Sequence, residues 1–203
     1  SGFGSDTDVM YVYRATDADS EKAAKQAEMI VKGVTRITED VKLPLDLDLD
    51  LRPEGKNGAI VRSLASYEAY YGRWSLTWEA QALLRARGVA GDQALLSDFE
   101  TLANRMRYPK AISPQDVREV KRIKARVESE RLPQAADPSR HLKLGRGSLS
   151  DVEWFVQLLQ LQHGARVEGL RTTSTLDALD AAVAEKLVTA SDAARLREAW
   201  IVA

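Results

Sequence analysis

The run Leu45-Asp46-Leu47-Asp48-Leu49-Asp50-Leu51 alternates leucine and aspartate without a break. Side chains alternate across a strand, so as β-structure it sets every leucine on one side and every aspartate on the other. Upstream stands Gly4-Ser5-Asp6-Thr7-Asp8, continuing as Val9-Met10-Tyr11-Val12-Tyr13. This β-branched and aromatic stretch reads as a buried strand opened by a Gly-Ser turn. Asp6 and Asp8 then share a face, with Cα atoms about 6.5 Å apart. Crowded carboxylates repel one another, and side by side these strands need a compensating cation. A hard divalent ion with oxygen ligands, Mg²⁺ above all, suits them. The aspartate run alone reads as a solvated acidic edge. Together with Gly-Ser-Asp-x-Asp it reads as a metal site.

Between the two strands Ser20 reads as an N-cap, and a helix is expected to about Glu39. Ala23, Ala27, Ile30, Val31, Val34 and Ile37 recur at helical spacing and predict one buried face. Strand, helix and strand form a β-α-β outline. The loop from Arg52 to Gly58 contains Asn57-Gly58, a hairpin signal, and Ala59 to Arg62 reads as a short return strand. From Ser66 the chain turns helical. Tyr67, Tyr70, Tyr71, Trp74 and Trp78 form an aromatic stripe that reads as core.

Ser113-Pro114-Gln115-Asp116 is a helix start with cap, proline and first-turn acid. The basic residues that follow read as a solvated face. Two glycines and two cations in Lys143-Leu144-Gly145-Arg146-Gly147 precede Ser148 and Asp151, a capping-box pair. Amides of such a loop at a helix start suit an anion. The expected fold is α+β and mostly α overall: a small mixed sheet with a crossover helix, then a helical bundle. The division falls at 1–90 and 91–203. The chain opens almost directly on its best motif, and Ala199 to Ala203 stops inside an apolar pattern. An excised segment is the expectation, with the first part of the catalytic core missing.

Basic and acidic residues number 29 and 30, for a net charge of −1. That balance argues against nucleic acid as the main partner. Cysteine is absent, which removes disulfide scaffolds and thiolate metal sites. His141 and His163 each stand alone, which disfavours a ligand role. No apolar run suits a membrane span and no secretory signal is present, so a cytoplasmic protein is the default.

The Gly-Ser, Asp-x-Asp and third strand aspartate resemble the DNA polymerase β-type nucleotidyltransferase superfamily. The chain is most similar to the glutamine synthetase adenylyltransferase (glutamate–ammonia-ligase adenylyltransferase) family. The stretches Phe3 to Val9, Leu51 to Gly58, Trp78 to Arg87 and Lys143 to Glu153 carry that resemblance, in the family's order. It implies a two-headed enzyme. One head transfers AMP from ATP to a tyrosine of glutamine synthetase and so regulates nitrogen assimilation. The other removes the AMP by phosphorolysis. The reading Gly-Ser-Asp and Trp-Glu-x-Gln-Ala-Leu resembles the C-terminal, adenylylating head. The AMP-removing head, or a non-catalytic docking module for glutamine synthetase, are the alternatives.

The resemblance implies Asp6, Asp8 and Asp48 as catalytic and metal-binding residues, with two Mg²⁺ ions and ATP as substrate. Asp48 is reached by counting back from Arg52, Asp46 stands where the family often has glutamate, and Asp50 is an additional acid. Gly4, Ser5, Arg52, Lys143 and Arg146 are the implied nucleotide-binding residues. Glutamine synthetase and a nitrogen-signal regulatory protein are the implied partners.

Overall fold

The computed structural model describes residues 7–16, 19–39, 45–74, 76–132, 137, 141–145 and 147–202. Contacts divide the chain into two units. One holds residues 1–75 and 88–102, the other 76–87 and 103–203.

In the first unit the opening motif forms two short strands, β1 (Thr7–Asp8) and β2 (Tyr11–Tyr13). They are exposed and half-buried rather than fully buried as the sequence predicts. Helix α1 (Ser20–Thr38) follows. Its cap is Asp19, whose carboxylate accepts the Lys22 amide at 2.9 Å, one residue before the expected Ser20. Strand β3 (Leu47–Asp48) then pairs with β1, and β4 (Val61–Ser63) pairs with β2. Both pairings are parallel, with Asp8 opposite Asp48 and Tyr11 opposite Val61. The β-α-β outline holds.

The expected hairpin into β4 does not form, because the chain between β3 and β4 is drawn into a loop around Arg52. That side chain donates to the carbonyls of Leu49 (2.7 Å), Lys56 (3.0 Å) and Gly58 (3.0 Å). Gly55–Asn57 is a 3₁₀ turn inside this loop. A Cβ on Gly58 would lie 2.0 Å from the Pro53 carbonyl oxygen, so no larger residue fits there. Strand β3 ends where the Asp48 carboxylate captures the Asp50 amide at 2.7 Å and bends the backbone off the ladder.

Helix α2 (Leu64–Trp74) buries Tyr67 and Tyr71, and Tyr67 meets Phe99 edge-on with centroids 5.4 Å apart. Burial pushes the Tyr67 phenol up to about 12, against the opposing pull of the Arg62 and Arg52 charges. Of the aromatic stripe Tyr67 and Tyr71 are core and Tyr70 is half-buried, while Trp78 lies on α3 (Thr77–Leu83) in the other unit.

The helical unit comprises α3, the end of α4 (Gln93–Arg107), α5 (Pro114–Glu130), α6 (Leu149–His163), α7 (Thr175–Ala184) and α8 (Ala190–Val202). Ser113 caps α5 as the sequence predicts, in a reciprocal pair with Asp116. Hydrogen bonds from Ser113 and Thr77 hold the Asp116 carboxyl below its usual range. Two apolar clusters fill the unit. Leu84, Tyr108, Val120 and Leu161 form one, and Val156, Leu170, Leu179 and Ala182 anchor the other. The whole is α+β and mostly helical, as the sequence reading has it.

Candidate active site

The parallel register of β1 and β3 sets Asp8 directly beside Asp48. Two ladder bonds fix that register: the Thr7 amide donates to Asp46 O and the Val9 amide to Asp48 O, each at 2.8 Å. Neighbouring strands lie about 4.8 Å apart, so paired carboxylates project from one sheet face within reach of a common ion. Asp48 is half-buried, while Asp8, Asp46 and Asp50 are exposed. One oxygen of Asp48 accepts the Asp50 amide, which orients the carboxylate. Its remaining lone pairs keep acceptor capacity.

Among the described residues, no group of three or more His, Asp or Glu forms a metal-holding cluster. The described residues carry two of the three expected acids, Asp8 and Asp48. Asp6, with Gly4 and Ser5, lies outside the described residues, as does Arg146. A pair of adjacent carboxylate oxygens on one sheet face is the donor chemistry that a hard divalent cation takes. The residues present therefore fit Mg²⁺.

Arg52 is placed beside this acidic row, but the residue is 8% exposed and its guanidinium donates to three backbone carbonyls. It also lies 4.0 Å from Asp50. It organises the loop rather than facing solvent. The sequence reading assigns no role to Asp50 or Lys56, yet they form an ion pair at 3.4 Å on the rim of the acidic row. Treating Arg52 to Gly58 as a simple turn hides that pair. A shallow cleft lies between the end of β2 and α1, lined by Tyr13, Arg14, Lys22, Ala23, Gln26 and Ile30. None of the expected site residues lines it.

Lys143 belongs to the helical unit and is exposed. The described amides of its glycine loop are engaged within the loop or by the first turn of α6. Gly145 donates to His141 O (2.8 Å), Ser148 to Gly145 O (3.2 Å), Leu149 to Leu142 O (3.0 Å) and Ser150 to Lys143 O (3.2 Å). Gly147, at φ +75°, donates to Asp151 at 2.6 Å. Ser148 gives its hydroxyl to Lys143 O instead of capping α6. Lys124 pairs with both Asp151 and Glu128. These described amides are already engaged by protein acceptors, and the loop leads the chain into α6.

The motif from Trp78 to Arg87 meets the motif from Lys143 to Glu153 inside the helical unit. Arg85 bridges Glu153 and the Thr175 hydroxyl, each at 2.7 Å, and also donates to Thr173 O. Gln81 donates to Gln157 at 2.7 Å, in a buried contact. Gln160 satisfies the carbonyls of Leu170 (2.8 Å) and Thr172 (2.7 Å). Arg107 closes the end of α3 through Leu83 O and Ala86 O. Buried polar groups need such partners, and here they lock α3, α6 and α7 together.

A family model described as glutamate-ammonia ligase adenylyltransferase matches residues 1–102. A second, described as GlnD PII-uridylyltransferase, matches residues 118–202. A protein of Leifsonia xyli named bifunctional glutamine synthetase adenylyltransferase/adenylyl-removing enzyme is 68% identical over all of this chain. Proteins of the same name from Streptomyces avermitilis and Mycobacterium avium are 54% and 52% identical, also over the whole chain. The chain spans 20–21% of the length of these relatives. On the matched family model and this level of identity, the chain belongs to the glutamate-ammonia ligase adenylyltransferase family.

Proposed function

We propose that the chain forms the reaction centre of a nucleotidyltransferase that moves AMP from ATP to a tyrosine of glutamine synthetase, acting in the cytoplasm. The observation that carries this reading is the pairing of Asp8 with Asp48 on adjacent parallel strands. Asp6, Asp8 and Asp48 would hold the Mg²⁺ ions. When bound, Mg²⁺ supplies neutralisation of phosphate charge during in-line displacement.

The chain's own residues do the rest. Asp8 and Asp48 present carboxylate oxygens from a fixed register, and the Asp50 amide holds Asp48 in one orientation. A tyrosine phenol titrates near 10, so at neutral pH its proton must leave as it attacks. Asp48 is the carboxylate that draws that proton away. The tyrosine oxygen then bonds to the α-phosphorus, the bond to the β-phosphate oxygen breaks, and pyrophosphate departs.

The relatives' name covers both transfer and removal of the adenylyl group, which supports a second reading as the removing activity. Co-substrate use separates the two. In the enzyme at its relatives' full length, loss of ATP-supported transfer by Asp8→Asn assigns transfer to these strands, and loss of phosphate-supported removal assigns removal. The test is calorimetric titration of Mg²⁺ and ATP into the enzyme at its relatives' full length, beside Asp8→Asn. Metal-dependent binding that the variant loses supports a nucleotide site on these strands. Equal binding by the variant contradicts it.

A further inference from the structure

We propose that Lys56 is the side chain that contacts the nucleotide's phosphates at this site, and that Arg52 is the residue that holds it in position. The inference rests on reading Asp8 and Asp48 as a nucleotidyl-transfer centre. A triphosphate beside a row of aspartates needs cations from the protein as well as metal. Arg52 does not answer that need directly. It is buried, and it donates to the carbonyls of Leu49, Lys56 and Gly58.

Lys56 is in the opposite state. Its side chain is 82% exposed, and its ammonium lies 3.4 Å from one oxygen of Asp50. Asp50 in turn gives its amide to Asp48 at 2.7 Å. Lys56 thus sits on the rim of the acidic row, two contacts from Asp48. Its backbone is fixed by the 3.0 Å bond from Arg52 to its carbonyl, whereas its ammonium, among the described residues, is held by one exposed pair. Exposed pairs of this kind are weak and screened by salt, so the ammonium exchanges Asp50 for a phosphate readily. A compact charge with three donors on a flexible stem suits that exchange. The loop is built around the position. Glu54 (φ +66°) and Gly55 (φ +55°) turn the chain through consecutive left-handed conformations just before Lys56.

The test is steady-state kinetics of AMP transfer by the enzyme at its relatives' full length, with ATP varied. Lys56→Ala should raise KM for ATP about tenfold, the scale of one lost charge-assisted hydrogen bond. It should change kcat little and leave the melting temperature unmoved, and Lys56→Arg should restore KM. Arg52→Ala should raise KM similarly and also lower the melting temperature. The double variant should raise KM no further than Arg52→Ala alone, because both act through one contact. An unchanged KM for ATP in Lys56→Ala overturns the proposal, as does a rise in KM for glutamine synthetase instead, or a failure of Lys56→Arg to rescue. Asp48→Asn run in parallel keeps the two readings apart. Loss of transfer there with a silent Lys56→Ala defeats only the lysine assignment, whereas full transfer by Asp48→Asn defeats the transfer centre itself.

Discussion

The two units of this chain are held together by different means. In the helical unit Leu161, Leu170, Leu179, Ala178 and Ala182 are fully buried, and polar side chains such as Gln160 and Arg85 close the remaining gaps. In the unit that carries the aspartates, strands are two or three residues long, and α1 leaves Met29, Ile30 and Ile37 exposed. Order there comes from individual directed contacts: Arg52 on three carbonyls, Asp48 on an amide, Tyr67 against Phe99. Close packing stabilises in bulk, whereas directed contacts position particular atoms. Few buried apolar contacts make for low local stability, so the site-bearing unit should open more readily than the helical one.

The largest expected effect breaks the comparison on the functional side. Asp8→Asn or Asp48→Asn should lower AMP transfer at least about a hundredfold, since carboxylates in metal-assisted displacement supply several kcal/mol. Both residues lie at or near the surface, so urea unfolding should be almost unchanged. On the structural side, Leu179→Ala should destabilise the helical unit by about 3 kcal/mol through the cavity left behind. Ile37→Ala, at a position 76% exposed, should fall within about 0.5 kcal/mol of the parent. Equal effects of these two substitutions in chemical denaturation would remove the contrast between the units.

Smaller changes sharpen it. Arg85→Ala should cost about 2 kcal/mol, because it strands Glu153 and Thr175 at the seam of α3, α6 and α7. Ser113→Ala should cost about 1 kcal/mol as a lost cap. The Asp116 carboxyl is held below the usual carboxylate range, chiefly by hydrogen bonding from Ser113 and then from Thr77. A depressed folded value gives stability that is present above the unfolded value and lost as pH falls through the folded one. Melting of the parent should therefore decline below about pH 4, and Asp116→Asn should remove that part of the decline.

The start of α5 was legible because its signals are local. Ser113, Pro114 and Asp116 need only one another. Alternation shows which aspartates share a face within one strand, but the register that sets Asp8 opposite Asp48 is read only in the structure, and Asp48 itself is singled out by the family's motif. The spacing of α1 predicts a buried apolar stripe, yet Val31 alone is buried on it. Periodicity shows which side of a helix is apolar, not what covers it. The partner of β4 and the role of Arg52 were hidden together. An arginine in a glycine-rich loop reads as a free charge until its acceptors are known, and those are backbone carbonyls that any residue could supply. Ser148 misleads in the same way, for its hydroxyl donates back to Lys143 O and meets the Ser150 hydroxyl, with no cap bond to an α6 amide.

The central claim is that the paired aspartates are the transfer centre, and one assay addresses it directly. Labelled AMP from ATP would be followed onto glutamine synthetase with Mg²⁺ present, comparing the enzyme at its relatives' full length with its Asp48→Asn form. The account predicts rapid, Mg²⁺-dependent labelling of a tyrosine by the parent and almost none by the variant, with both forms melting at the same temperature. Labelling by Asp48→Asn at the parent's rate would contradict it.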